Sequence, residues 1–89
     1  LRLCYQVPAK NLSNLAKHGV GLDLADDLEW DTLWAKPDMR RNYGEPRFIG
    51  YALCADRLYC VVYTDRGEAR RIISLRKANK REEKRYAKA

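Results

Sequence analysis

Three runs of strand-forming residues follow one another in the second half of the chain: Arg47 to Cys54, Leu58 to Thr64 and Ala69 to Lys77. Only Ala55-Asp56-Arg57 and Asp65-Arg66-Gly67-Glu68 separate them. The first connection is short enough to make the first two runs an antiparallel hairpin, and the glycine turn brings the third back beside them. In a chain of 89 residues this sheet dictates the fold, because everything else must pack on it.

The elements around the sheet follow from periodicity and capping. Leu1 to Val7 reads as a short strand with Leu1, Leu3 and Tyr5 on one face. Pro8 suits a first helical position, and Ala9, Leu12, Leu15 and Ala16 then form an apolar stripe at helical spacing. Lys17 and His18 occupy the last turn, where positive charge suits the helix dipole, and Gly19 ends it. A second helix is expected over Leu22 to Trp30, with Leu22, Ala25 and Leu28 on one side and Asp23, Asp26 and Asp27 in its N-terminal half. Thr32 to Lys36 adds a brief strand before Pro37, and Arg40 to Pro46 is a loop. After the sheet, Asn79 followed by Glu82 forms a capping box for a final helix, nearly all polar, whose one large apolar anchor is Tyr86. The expected fold is α+β, a single domain over residues 1–89: a short N-terminal strand, two helices, an antiparallel β-sheet and a C-terminal helix.

Composition narrows the functional classes. The chain is 46% hydrophobic, enough for a thin core. Cys4, Cys54 and Cys60 are odd in number and sit at no metal-ligand spacing, so all three are expected as small buried hydrophobes in a reducing cytoplasm. No apolar run approaches the roughly 20 residues of a membrane span, and no signal peptide precedes the first strand. The expected location is therefore cytoplasmic, away from the membrane. His18 is the single histidine and the acids are scattered, so no metal-ligand cluster is recognisable. Ser13 and Ser74 have no evident triad partners, and no glycine-rich phosphate loop is present, so neither metal nor cofactor is expected.

Charge is the strongest functional signal. The net charge is +6, five of the twelve acids fall between Asp23 and Asp31, and ten of the eighteen Lys and Arg residues lie from Arg66 onward. Such segregation favours an anionic partner, most simply a nucleic acid. Simple alternation along the last strand places Arg70, Ile72, Ser74 and Arg76 on one face and Arg71, Ile73 and Leu75 on the other. The face of Ser74 and Arg76 is expected to be open. Lys80 and Arg81 oppose the dipole of the last helix by about 0.3–1 kcal/mol each, a cost that makes sense if phosphate lies nearby. Arg66, Arg70 and Lys77 join them as candidate nucleic-acid contacts. Tyr63 is either a base-stacking ring beside these cations or a half-buried sheet residue.

Four blocks stand in order along the chain: Ala9-Lys10-Asn11 to Asn14-Leu15 and Lys17-His18-Gly19-Val20; Tyr43-Gly44-Glu45-x-Arg47-x-Ile49-Gly50; Val61-Val62-Tyr63-Thr64-x-Arg66-Gly67; and Arg71-Ile72-Ile73-Ser74-x-Arg76-Lys77-Ala78. Together, from Pro8 to Tyr86, they resemble the BrnT family, small toxins of type II toxin–antitoxin systems. The resemblance implies a RelE-like fold, an endoribonuclease activity that stops translation, and neutralisation by a BrnA-type antitoxin. That antitoxin carries a ribbon-helix-helix region, and the hetero-oligomer binds operator DNA. The matching positions are Lys17, His18, Glu45, Arg47, Arg66, Arg71, Ser74, Arg76 and Lys77. Gln6-Val7 stands where most relatives carry an aromatic residue followed by Asp.

The implied reaction is metal-free attack of the RNA 2′-OH on its neighbouring phosphorus. Arg76, with Arg71 or Arg47, would stabilise the transition state, and Glu45, His18 or a lysine would move the protons. On this reading Arg76→Ala abolishes cleavage and leaves the fold intact. Two other readings stand beside it: a non-catalytic RNA-binding module, and a catalytically impaired co-repressor partner of the antitoxin.

Overall fold

The computed structural model describes residues 2–5 and 9–89. Its elements run β1 (Arg2–Cys4), α1 (Ala9–His18), a 3-10 helical segment (Leu22–Asp27), β2 (Glu29–Pro37), β3 (Phe48–Cys54), β4 (Arg57–Arg66), β5 (Ala69–Lys77) and α2 (Lys80–Lys88). The strands form one sheet of five in the order β1-β5-β4-β3-β2. From β2 to β5 the neighbours are antiparallel, as short connections require, with Cys54 pairing Arg57 across the turn at Ala55-Asp56. β1 instead runs parallel to β5, Arg2 opposite Ala69, so the sheet is mixed and not wholly antiparallel. No tight turn ties β1 to β5, and nothing local imposes an antiparallel pairing. Of the strand expected over Leu1 to Val7, the structure describes Arg2–Cys4 as strand; Leu1, Gln6 and Val7 lie outside the described residues.

The helix expected over Leu22 to Trp30 is the 3-10 segment, and Trp30 belongs to β2. The reason lies in the spacing. Leu22, Ala25 and Leu28 recur every third residue, the repeat that stacks side chains on one face of a 3-10 turn. All three are buried in the core. Leu28 is already extended (φ −68°, ψ 140°), which starts β2 earlier than Thr32. The Trp30 indole donates to the Ala25 carbonyl at 3.0 Å and meets Tyr63 edge-on, with centroids 6.1 Å apart.

One face of the sheet carries the main core, where these residues pack with Ala52, Tyr59, Val61, Tyr63, Ile72 and Leu75. The opposite face carries a smaller cluster of Tyr51, Leu58 and Cys60, covered by Ala78 and Tyr86 from the α2 end. The capping box of α2 is present: Asn79 Oδ1 accepts from Glu82 N, and Glu82 Oε1 accepts from Asn79 N, each at 2.9 Å. The cysteines are all free but differ in setting. Cys60 is buried, Cys54 half-buried and Cys4 exposed, so the expectation of three core thiols holds only for Cys60.

α1 reverses the orientation its apolar stripe suggests. Leu12 and Leu15 are 58% and 48% exposed, whereas Asn14 is buried. The Asn14 carboxamide pairs with the open edge of β5, donating to the Leu75 carbonyl at 2.8 Å and accepting from the Leu75 N–H at 3.3 Å. It also donates to the Val20 carbonyl, and Asn11 Oδ1 accepts from Leu22 N at 2.6 Å. β1 covers the β5 edge only as far as Arg71, so the Asn14 amide stands in for the next residue of a missing strand. A buried strand edge needs such partners more than it needs another leucine. Asn14→Ala leaves the Leu75 N–H and C=O unpaired and is expected to cost about 2 kcal/mol. Urea unfolding measures this, and an unchanged midpoint would show that water replaces the amide at no loss.

Candidate functional site

A bulge in β5 sorts the cations. Val62 pairs with Ser74 but Tyr63 pairs with Ile72, so Ile73 is an extra residue that resets the alternation. Arg71, Ser74 and Arg76 therefore share the face opposite the main core, while Arg70, Ile72 and Leu75 turn toward it. This corrects the division expected from simple alternation, which grouped Arg70 with Arg76 and put Arg71 on the other side.

At the end of the sheet where β5 begins, Lys10, Glu45, Arg47, Arg66 and Arg71 line a cleft of about 220 Å³ with Ile72 and Ile73. The strand ends bring them together. Arg66 closes β4, Arg71 lies near the start of β5, and Glu45 and Arg47 lead into β3. The lead-in is tied down twice: Asp38 N donates to the Arg47 carbonyl at 2.8 Å, and the Thr64 hydroxyl donates to the Pro46 carbonyl at 2.6 Å. Glu45 is the one acid of the cleft. Its Oε1 accepts from Arg66 Nη2 at 2.6 Å, and its Oε2 lies 3.6 Å from Arg47 Nε. Arg66 first, and the neighbouring arginines after it, hold the Glu45 carboxyl below the usual carboxylate range, so it is ionised at neutral pH. Arg47 stacks over Tyr43, 4.2 Å from the ring centroid, and its buried Nε makes no hydrogen bond among the described residues. Neither Lys10 nor Arg71 has a salt-bridge partner among the described residues. Beyond Arg66 and Arg71 the surface continues into a second hollow walled by Cys4 and Tyr5.

Arg76 sits roughly 15 Å farther along the strand and is engaged in a different network. Its Nη1 and Nη2 each donate to Glu82 at 2.8 Å, and the Tyr51 hydroxyl donates to the same carboxylate at 2.9 Å. Glu82 is thereby held well below its normal value, at about 2, chiefly by the Arg76 bonds. Arg76→Ala would strand a buried carboxylate, so it is not the clean test of cleavage that the sequence suggests. Burial first, then the charges of Lys17 and Arg76, push His18 below its ordinary value, so its imidazole is neutral at pH 7. Lys17 and His18 thus accompany Arg76 and are absent from the cleft lining.

The remaining candidates are dispersed. Tyr63 is 4% exposed, its ring stacked on Phe48 (5.6 Å) and covered by the Arg70 guanidinium at 4.3 Å, which leaves no face for a base. Arg70 is further committed to Asp65 through bonds of 2.8 and 3.0 Å. Lys77 pairs with Tyr59 on the core side of the register, and Lys80 and Arg81 are exposed in the first turn of α2. Lys10 is the cleft residue that sequence reasoning passed over. The signal was available: it is a cation at the start of a helix, as Lys80 is, and the first turn of α1 holds no acid to offset it.

Among the described residues no three His, Cys, Asp or Glu side chains converge as a metal site, and no helix is long and apolar enough to cross a membrane. Arginines gathered round one carboxylate at the end of a sheet are an arrangement able to hold a phosphate group. The chain belongs to the family described as ribonuclease toxin, BrnT, of type II toxin–antitoxin system, whose sequence pattern matches residues 7–82. It is thus a ribonuclease toxin with RNA as substrate and an antitoxin as partner. No individual curated protein matches it.

Proposed function

We propose that the protein is a RelE-like endoribonuclease that cleaves RNA without a metal, in the cleft formed by Lys10, Glu45, Arg47, Arg66 and Arg71. The observation that carries this reading is the convergence of three arginines on one ionised carboxylate, with Lys10 in the same cleft lining. Glu45 takes the proton of the 2′-OH, whose oxygen attacks the adjacent phosphorus. Arg71 and Arg47 neutralise the extra negative charge on the equatorial oxygens, a guanidinium being able to meet two of them at once. The bond to the 5′-oxygen breaks as that oxygen takes a proton from Lys10, leaving a 2′,3′-cyclic phosphate and a free 5′-OH. Arg66 holds Glu45 in place. Ser74 and Arg76 continue the same face, so RNA leaving the cleft would run toward Lys17, His18, Lys80 and Arg81. In the cell the activity stops translation, and a BrnA-type ribbon-helix-helix antitoxin neutralises it and carries the complex to operator DNA.

Glu45 also supports a second reading. A carboxyl held low by Arg66 is a weak base, which suits an RNA-binding module or an impaired co-repressor more than an efficient nuclease. Cleavage of a defined RNA in excess chelator separates the two. Under the catalytic reading, 2′,3′-cyclic phosphate ends accumulate. The rate rises with pH through a value below the ordinary carboxylate range, and Glu45→Gln removes that limb. RNA bound but uncut, with Glu45→Gln binding as before, would favour the module.

A further inference from the structure

Beside the cleft, the loop from Pro37 to Phe48 encloses a groove of about 500 Å³ that no step above uses. It shares Glu45 and Arg47 with the cleft, so whatever lies in it is about one nucleotide step from the proposed reacting phosphate. Its walls are mostly apolar: Pro37, Met39, Pro46 and Phe48. Met39 is 84% exposed, far more than any other large hydrophobic residue described. An unbranched thioether held out in water beside a cationic cleft has no folding role, but it is a good platform for a flat ring.

The loop is prebuilt. Asp38, its side chain 1% exposed, accepts from Arg40 Nε (2.7 Å), Arg40 Nη2 (2.6 Å), Arg40 N (3.2 Å) and the Tyr43 hydroxyl (3.1 Å). Tyr43 is pinned a second time by Arg47 above its ring. The entropy of ordering the groove is therefore spent in folding and not in binding. Asn42 uses its Oδ1 on the Gly44 N–H at 3.1 Å, which leaves its amide nitrogen as a donor at the rim. A largely apolar slot with donors from Asn42 and Arg41 in its lining, joined to a phosphate site, matches a nucleobase attached to its own phosphate.

We propose that this groove binds the base of the nucleotide adjoining the cleft phosphate, making Met39 a specificity-determining residue. The inference rests on the cleft being the RNA site. Fluorescence anisotropy with a 2′-O-methyl RNA octamer, which cannot be cut by 2′-OH attack, tests it against an abasic 2′-O-methylribose-phosphate octamer of the same length. Wild type is expected to bind the base-bearing octamer about 10-fold more tightly. Met39→Ala should lose several-fold of affinity for that octamer and none for the abasic one, while Arg71→Ala weakens both alike. Equal wild-type binding of the two octamers, or an equal loss on both with Met39→Ala, overturns the base site and leaves the phosphate cleft standing. If neither octamer binds, the cleft reading has failed and the base site falls with it.

Discussion

Arg71→Ala is expected to lower RNA cleavage by about 10²–10³-fold, the usual loss when one preorganised donor to a developing oxyanion is removed. Arg71 is exposed, stands on the open face of β5 in register with Thr64, and has no salt-bridge partner among the described residues. Its loss therefore leaves no buried charge behind, and the melting temperature should stay within a few degrees of wild type. Arg71→Lys keeps the charge but loses the two-pronged contact, so it should recover only part of the rate. Single-turnover cleavage of a short RNA, read beside thermal melts, gives both quantities. A variant that cuts RNA as fast as wild type would take Arg71 out of the site and leave the cleft without its freest cation.

The largest stability loss is expected for Glu82→Ala, about 3–5 kcal/mol. Most of a domain's stability can disappear with such a change, since the total is only about 5–15 kcal/mol. One carboxylate serves Arg76 twice, the Tyr51 hydroxyl and the Asn79 N–H, so its removal orphans four donor contacts at once. The pH dependence has a definite sign. Glu82 has a folded-state pKa of about 2 against an ordinary 4.5, so its stabilisation is complete above about pH 4.5 and is lost as pH falls toward 2. Asp38, held low by Arg40, acts in the same direction. Wild type should thus lose stability steeply over this interval, and Glu82→Ala should show a flatter profile, both followed by urea unfolding. Parallel profiles would mean that the pair adds nothing on balance.

The same network permits a test of Arg76 that Arg76→Ala does not. Replacing both partners, Arg76→Leu with Glu82→Leu, removes the charge without stranding it and should recover part of the stability lost in Glu82→Ala. If that folded double variant still cuts RNA at the wild-type rate, Arg76 is a fastener between β5 and α2. Loss of cleavage would return it to the RNA path.

Much of the site was legible as residue types but not as a place. Glu45, Arg47, Arg66 and Arg71 were all named in the sequence and all line the cleft, because each lies at or just beyond the end of a strand whose pairing follows from short turns. Lys17, His18 and Arg76 were named with equal reason and stand at the other end of the sheet. What separated the two groups is distance along β5, roughly 15 Å from Arg71 to Arg76; the extra residue Ile73 instead brings those two onto one face, which no period-two reading shows.

The chain by itself determined whatever depends on neighbours a few residues away. The Ala55-Asp56 turn and the glycine turn set the antiparallel order of β3, β4 and β5, and Asn79 with Glu82 capped α2. It also carried the four ordered blocks that place it in its family. The tertiary structure alone decided which way α1 faces and which arginine is free. Both answers turn on satisfying buried polar groups across long chain separations or across elements: Asn14 reaches Leu75 on the β5 edge, and Glu82 gathers Tyr51 and Arg76. The energy of an unpaired buried donor outweighs the spacing of two leucines, and only the folded chain shows where such donors lie.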